Sequence, residues 1–442
     1  MSKASSGWRN PEFQRNLWLE ISPIRPLLMP GLIALLLFVA VAVYQNYKSP
    51  AEIIVYVSPV CFALLTIFWG SGLALSSLTR EFSEDTWDNQ RMSGLTPWQM
   101  VWGKLFGGTI YAWYGGVILL AVTAVSAVLT GMPWGRILLY GAGLVSLAVL
   151  CHAASMLGDL TLWHKNPSTA NLVRPRLIAI LGLPSLFLVF YILRTHIGPT
   201  VVWWSKNWPF LDITIYTLIA MTLWVLLGLW QAMRRELLLH NRPWWWLVFM
   251  VFWMLWGVGF TENNWEVFFK FCVVLAWFGL YLQLFSERKD QGAWLRIIAA
   301  WKQRNLSLIQ HLLPFWTINF ALVLVLSLVT LLLTQNVSVQ SKLLSFLGIT
   351  ALVTRDIAWT LWLNLAPDAR RADAAAILSL IMVYGLLSAL GNLLPSPADA
   401  LFMPLAVIPT FDGASSRTIA ILSILVQAII ALWLFYGRWR VR

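Results

Sequence analysis

Twelve stretches of about 20 mostly apolar residues are spread along the whole chain. Each is long enough to cross the hydrocarbon core of a bilayer as a helix, which takes about 20 residues. Charged residues make up 11% of the chain, against about 25% in a typical soluble domain. We therefore predict an all-α polytopic membrane protein with spans at 27–45, 53–78, 103–130, 137–157, 177–194, 211–232, 245–260, 266–285, 315–334, 343–363, 374–393 and 417–436.

The basic residues predict how these spans are oriented. If the N-terminus is on the inner side, most of the 31 Lys and Arg residues fall in inner segments. The outer or outer-half positions hold Lys48, Arg136, Arg194, Lys206, Lys270, Lys342 and Arg417. This bias follows the positive-inside rule, so both termini are predicted to be cytoplasmic, in a plasma or bacterial inner membrane. The same bias explains the net charge of +12. We therefore expect membrane lipid as a partner and no nucleic acid.

The sequence carries no recognisable motif for catalysis, nucleotide hydrolysis or metal binding. A phosphate-binding Gly-x4-Gly-Lys-Ser/Thr loop does not occur, so the chain is not expected to hydrolyse ATP. Its three cysteines, Cys61, Cys151 and Cys272, lie far apart inside apolar stretches and match no metal-ligand spacing. The five histidines are scattered over five segments. We predict no catalytic residue, no metal and no cofactor bound by this chain.

Two pairs of short matches predict two loosely repeated halves. The sequence Gln-Arg-Asn-Leu occurs at 14–17 and at 303–306, each time before a span, and Thr79-Arg80-Glu81 is matched by Thr354-Arg355-Asp356. Two-fold internal repeats are common in transporters. The predicted organisation is a connecting helix at 1–26, a first half of six spans at 27–232, a joining pair of spans at 233–285, a second connecting helix at 286–314 and a shorter second half at 315–442.

Both connecting segments carry apolar residues at helical spacing. These are Phe13, Leu17 and Ile21 in the first segment, and Trp294, Ile297, Ile298 and Trp301 in the second. Basic residues lie beside each apolar stripe. This pattern predicts amphipathic helices that lie on the inner leaflet with the stripe toward lipid.

The inner segment 79–104, between the second and third spans, has an ordered set of charged and turn-forming residues. In chain order it holds Arg80-Glu81, Thr86 with Asp88, Leu95-Thr96-Pro97 and Gly103-Lys104. This order resembles the permease subunits of type-2 ABC transporters, a mostly exporting family. The opening Asn10-Pro11-Glu12-Phe13 with Arg15 is similar to that family's N-terminal connecting helix. The chain departs from the pattern at Asp85, where the family has Gly, and in having about twelve spans where most members have six.

The resemblance implies a transport subunit that is not an enzyme, moved by ATP and Mg bound to a separate ABC ATPase subunit. Two ATPase copies per complex are expected, with a homodimer or a heteromeric permease partner completing the pathway for a hydrophobic, lipidic or peptide substrate. The implied coupling residues are Arg80, Glu81, Thr86, Asp88, Arg91, Leu95, Thr96 and Pro97.

The residues of 79–104 fit two interpretations. A short helix between two spans can dock in a groove of a soluble partner, with charged ends that fix its orientation through paired hydrogen bonds. Thr96 and Pro97 favour a helix start, with Thr as the N-cap and Pro at the first position. The alternative is a solvated loop whose charges only keep it out of lipid.

A second candidate coupling segment follows the tenth predicted span. Its residues are Arg355, Asp356, Asp368, Arg370 and Arg371. Of the adjacent charged pairs in the sequence, Arg355 and Asp356 are predicted to lie deepest in the membrane. They are interpreted either as an ion pair at the inner leaflet or as a contact of the second half with an ATPase.

Two other classes of function stay open. A membrane-embedded transferase acting on lipid-linked substrates would need paired acids in its first outer loop, but 46–52 holds only Glu52. An ion-coupled carrier would need charged residues near the middle of a span. Asp159, Asp212, Glu266 and Lys270 lie at predicted span ends, where long side chains can reach the interface.

Overall fold

Helices account for nearly all of the described structure. The computed structural model describes residues 10–441 apart from 21–24, 85, 166–199, 240–243, 262–263, 288, 290, 335–337, 367–370, 392, 396–397 and 403–413. Within this part, helices long and apolar enough to cross a membrane are Pro26–Tyr44, Pro50–Ser83, Ile110–Leu129, Trp134–Thr161, Phe210–Glu236, Trp265–Ser286, Phe315–Leu333, Val339–Asn364, Ala372–Gly391 and Thr418–Arg440. The chain is an all-α integral membrane protein, as its hydropathy predicts.

Two of the twelve predicted spans are not among these ten helices. The span predicted at 245–260 is a shorter apolar helix, Trp244–Val258. The span predicted at 177–194 lies outside the described residues. The number twelve therefore stays a prediction.

The chain divides into two compact units. Unit 1 consists of Met1–Val201 and Lys206–Asn241, and unit 2 of Val202–Ser205 and Arg242–Arg442. Unit 2 includes both spans of the predicted joining pair, and the predicted domain boundaries stay predictions. Two short strands, β1 (Thr200–Trp203) and β2 (Lys206–Pro209), pair in a two-stranded sheet.

Unit 1 is built from nine described α-helices and two π-helical segments. They are α1 (Pro11–Glu20), α2 (Arg25–Tyr44), α3 (Pro50–Phe62), π1 (Ala63–Trp69), α4 (Gly70–Ser83), α5 (Trp87–Met92), α6 (Pro97–Trp102), π2 (Gly103–Gly107), α7 (Ile110–Leu129), α8 (Trp134–Lys165) and α9 (Phe210–Glu236). Apolar side chains of α4, α6, α8 and α9 form one core, which contains Leu78, Met100, Met156 and Leu229. This core holds α5 and α6 against the ends of three spans.

Unit 2 is also helical and has its own apolar core. Its described elements are α10 (Trp244–Val258), α11 (Trp265–Ser286), α12 (Gln291–Lys302), α13 (Leu306–Leu312), α14 (Phe315–Leu333), α15 (Val339–Asn364), α16 (Ala372–Ile381), π3 (Met382–Leu387), α17 (Ser388–Gly391), a 3-10 turn (Ala398–Leu401) and α18 (Ala414–Val441). Leu280, Val323 and Val353 join α11, α14 and α15 in this core.

The first connecting helix turns a different face to the protein than its apolar stripe predicts. Phe13 is buried, together with Glu12 and Asn16, whereas Trp18 and Leu19 are exposed. The predicted lipid-facing stripe is therefore wrong at Phe13, because polar contacts of its two buried neighbours decide the rotation of α1. Ile21, the last residue of that stripe, lies outside the described residues.

The four-residue match between the halves is not a match in local structure. Residues 14–17 lie inside α1. Gln303 and Arg304 form a turn, with Arg304 at a φ of +52°, and Asn305 caps α13. This pair of matches does not mark equivalent positions, because one copy is helical and the other ends one helix and starts another.

Candidate coupling site

The segment between α4 and α7 folds into two short helices separated by a tight turn. Gly94 has a φ of +69°, a left-handed conformation that glycine adopts without strain. Thr96 then caps α6: its hydroxyl accepts from the Gln99 backbone N–H, while the Gln99 side chain accepts from the Thr96 backbone N–H. With Pro97 at the first helical position, this is the helix start that the sequence predicts.

A cluster of buried charges lies where this segment meets α1. We call Glu12, Arg15, Glu81, Gln90 and Lys104 the charge cluster. The Lys104 ammonium is fully buried and donates to both carboxylates, reaching Glu12 at 3.1 Å. Arg15 also donates to both carboxylates, and the Gln90 side chain donates to Glu81. The two carboxylates and two cations balance, so the buried charges of Glu12, Glu81 and Lys104 are compensated by partners of opposite sign, with the Arg15 side chain 47% exposed at the edge of the cluster.

Two glycines of π2 allow α1 to approach closely enough to form this cluster. A Cβ added at Gly103 would lie 2.6 Å from the Glu12 side chain, and one added at Gly107 would lie 2.9 Å from Asn16. The Asn16 amide donates to the Gly103 carbonyl oxygen in π2 at 3.4 Å, and the Asn10 amide donates to the Gln99 carbonyl oxygen in α6 at 2.6 Å. The polar face of α1 is thus fastened to α6 and π2.

Replacing Gly103 with alanine is expected to destabilise unit 1, against the usual effect of this substitution. Alanine is favoured over glycine in a helix by about 1 kcal/mol. Here the new Cβ would also lie 2.9 Å from the Phe13 backbone nitrogen, so α1 has to move. We expect a loss of about 1–3 kcal/mol, the range for overpacked sites, measured by thermal unfolding in detergent. The control is Gly31→Ala on α2, where nothing lies within 4 Å; equal behaviour of the two variants would contradict this packing.

The short helix α5 has one buried face and one exposed face. Trp87 and Gln90 are buried, and the Trp87 ring lies 4.7 Å from the Phe82 ring at the end of α4. By contrast, the Asp88 side chain is 80% exposed and Met92 is 78% exposed. A short amphipathic helix of this kind, held by the ends of spans, can bind a soluble partner with its outer face.

Arg91 connects α5 to the end of a third span. Its guanidinium pairs with Asp88 at 3.1 Å and with the buried carboxylate of Glu236, the last residue of α9, at 3.5 Å. Glu81 receives bonds from α1, α5 and π2. Through these two carboxylates, α5 is bonded to the ends of α4 and α9 and to the start of the chain leading into α7.

The structure separates the predicted coupling residues into two groups. Glu81 is buried, and the Thr86 hydroxyl donates to its carbonyl oxygen at 3.3 Å. Leu95 packs partly against the apolar core. Arg80, Asp88, Arg91 and Thr96 are exposed, with Pro97 half-buried. Only the exposed group can touch a partner, and Glu81 can act only by positioning α5.

Sequence reasoning missed Gln90 and Glu236 and did not assign a role to Lys104. Gln90 bonds to Glu81, which precedes it in the same segment, and Glu236 bonds to Arg91 on a distant helix, so neither has a signal in its adjacent residues. Gly103 and Gly107, spaced four apart beside Lys104, are the one sequence signal of a close helix contact.

Arg355 and Asp356, the core of the second candidate segment, are buried inside unit 2. Asp356 accepts two bonds from the Arg355 guanidinium, at 2.7 and 2.8 Å, and one from each hydroxyl of Tyr281 and Tyr384, both at 2.5 Å. Arg355 also donates to Gln427 at 2.7 Å. Because Asp356 has no exposed surface, its geometry favours an ion pair within the span over direct contact with an ATPase.

The rest of the second segment is only partly described. Arg371 is exposed at the start of α16, whereas Asp368 and Arg370 lie outside the described residues. Nearby, Lys289 donates to Asp373 at 2.5 Å. Of the acids predicted at span ends, Asp212 pairs with Arg136 and Glu266 with Lys270, whereas the buried Asp159 accepts from the Thr79 hydroxyl at 3.3 Å.

Neither a metal centre nor a known relative identifies the site. Among the described residues, no group of three or more His, Cys, Asp or Glu side chains could hold a metal ion. No family model, no curated protein and no solved structure matches the chain. Its function is therefore inferred from the geometry of α5 and the charge cluster.

Proposed function

We propose that the chain is the membrane subunit of an ABC transporter, driven by ATP hydrolysis on a separate ATPase that docks at α5. The observation that supports this is that the two faces of α5 differ: the outer face is exposed, and the inner face is bonded to the ends of spans. Its outer face offers Asp88, Met92 and Arg91 to a partner, while its inner face is bonded to Glu81 and Glu236. A solvated loop would need the exposed charges but not the inner bonds.

The bonding explains how movement of a partner would reach the membrane. A force on α5 acts at once on α4, α9 and the π2–α7 segment, because buried bonds and packing join them. Rigid elements linked in this way move as a group, which is the basis of rocking motions in transport proteins. ATP and Mg are held by the ATPase, and closure of two ATPases would rock the membrane subunits.

The proposal includes an orientation and a type of assembly. The α5 end of unit 1 faces the cytoplasm, in line with the bias of basic residues, and the membrane is a plasma or bacterial inner membrane. Two ATPase copies serve the complex, which contains two copies of this chain or this chain with a related permease. The cargo is hydrophobic, lipidic or peptidic, and transport is outward. Arg371 and its neighbours supply a second docking point.

Isolation of the tagged chain from its host in mild detergent tests this proposal. We expect a stoichiometric soluble partner and ATPase activity that stays with the complex. Quantitative mass spectrometry of the complex then gives the number of ATPase and permease copies. A chain that is isolated alone and without ATPase activity would favour the transferase or the ion-coupled carrier.

Reversing the polarity of the outer face of α5 is expected to abolish docking without affecting the fold. The double variant Asp88→Lys with Met92→Glu changes two residues that are about four-fifths exposed and removes one exposed ion pair, between Asp88 and Arg91. Such a pair contributes about 0–1 kcal/mol, so the unfolding temperature should stay close to that of the unchanged chain. Co-purification of the ATPase and its activity should be lost. Lys206→Glu, an exposed charge reversal in β2, is the control. Retention of the ATPase by the double variant would exclude α5 as its docking site.

A further inference from the structure

Unit 1 contains a large cavity at the end opposite to the charge cluster. Its volume is about 690 Å³, within the range of sites that enclose small organic ligands. The starts of α3, α8 and α9 and the second half of α7 form its walls. Residues that represent these walls are Pro59, Leu120, Ala127, Leu144, Leu147 and Ile215. This lining is mostly apolar, so the cavity suits a hydrocarbon chain.

Among the described lining residues, Arg136 is the charged one, and Tyr56, Thr123, Tyr140 and Thr200 carry hydroxyls. Arg136 lines the cavity, and its guanidinium donates to Asp212 at 2.5 Å. Tyr56 also lines it, with the Lys48 ammonium 4.1 Å from the centre of its ring. The cavity thus has an apolar interior and a charged edge, the two parts that an amphiphile requires.

The charges around this edge favour one sign of head group. The described charged residues at this end of unit 1 are Lys48, Glu52, Arg136, Lys206 and Asp212. Arg136 and Asp212 neutralise each other in their ion pair, and the remaining three include two cations and one anion. Lys48, Glu52 and Lys206 are exposed, so they can reorient toward a bound group. The surplus of positive charge attracts an anionic head group.

We infer that this cavity binds an anionic amphiphile, with its apolar chain between α3, α7, α8 and α9 and its head group beside Arg136 and Lys48. The apolar chain of the amphiphile is excluded from water and from the charged edge of the cavity. Its head group stays where water and cations reach it. This site is defined by unit 1 alone and does not depend on the proposed ATPase partner.

Gly141 provides a way to fill the cavity. It lies on α8 in the cavity wall, and a Cβ built there meets nothing within 4 Å. Gly141→Trp therefore places an indole in open space. Gly31→Trp on α2 is the matched control, since Gly31 also has nothing within 4 Å of its Cβ and does not line the cavity.

The test uses the full chain in phosphatidylcholine nanodiscs. A small fraction of the lipid is replaced by phosphatidylglycerol that carries a photoactivatable diazirine in its acyl chain, and labelled peptides are mapped by mass spectrometry. The matched probe is phosphatidylcholine with the same acyl chain. We expect saturable labelling of the cavity wall at 120–127 and 141–147, stronger with the anionic probe, and abolished by Gly141→Trp but not by Gly31→Trp.

A charge variant tests the head-group part of the inference. Lys48→Gln removes an exposed cation and should reduce the preference for the anionic probe several-fold, while Lys342→Gln in unit 2 should not. Labelling that does not saturate, or that Gly141→Trp leaves unchanged, would show ordinary contact with bulk lipid and overturn the inference. Absence of labelling in the cavity, with normal labelling of exposed α2, would show that the space is closed to ligands.

Discussion

Replacing Lys104 with methionine is expected to disrupt the end of unit 1 that carries α5. Methionine keeps the apolar contacts of the stem but leaves Glu12 and Glu81 with one cation for two buried carboxylates. Loss of one partner from a buried ion pair costs about 3–5 kcal/mol. The expected result is a large fall in unfolding temperature and in the yield of monodisperse protein, measured by fluorescence-detected size exclusion after heating.

Two further variants separate charge from packing at this site. Adding Glu81→Gln to Lys104→Met restores neutrality with Glu12 and Arg15, so part of the lost stability should return. Lys302→Met, at an exposed position in α12, should have little effect. If Lys104→Met proved as stable as Lys302→Met, the buried cluster would contribute nothing to the fold.

The second large effect is expected from Asp356→Asn in unit 2. The change keeps the shape of the side chain but leaves the Arg355 guanidinium as a buried cation with only neutral partners, Gln427 and Tyr384. Uncompensated charge inside a membrane span is costly, and we expect a loss of about 3–5 kcal/mol. Thermal unfolding of the purified chain measures it, with the exposed Asp88→Asn as control.

Removing both charges should be less harmful than removing one. Arg355→Met with Asp356→Asn leaves no buried ion, although the tyrosine hydroxyls lose their acceptor. The double variant is therefore expected to be more stable than Asp356→Asn alone. Strictly additive losses would show that the ion pair and its two tyrosines do not act as one network.

The features predicted correctly from the sequence are those decided by neighbouring residues. A run of apolar residues determines a span, because every backbone polar group in lipid must be bonded within its own helix. The start of α6 was equally predictable from the sequence, since Thr96, Pro97 and Gln99 form the helix cap among themselves. In both cases the decisive interactions lie within a few residues along the chain.

The charge cluster was not predicted, because its partners lie far apart in the sequence. Lys104 is 92 residues from Glu12, and a lone Lys at the start of a predicted span is ordinarily read as reaching the interface. The same long-range contact rotates α1 and buries Phe13, which overrides the apolar stripe. For Arg355 and Asp356, the sequence showed an adjacent pair but not the two tyrosines that favour one interpretation.

The bond between Glu12 and Lys104 also imposes an order on biosynthesis. Glu12 precedes the first two spans and Lys104 follows them, so α1 leaves the ribosome long before its partner is made. Until then, Trp18 and Leu19, whose exposed side chains suit the lipid interface, can keep α1 at the membrane surface. Lys104 can lose its water only after this helix arrives. The charge cluster can thus form only after the first two spans and the segment that carries Lys104 have been made.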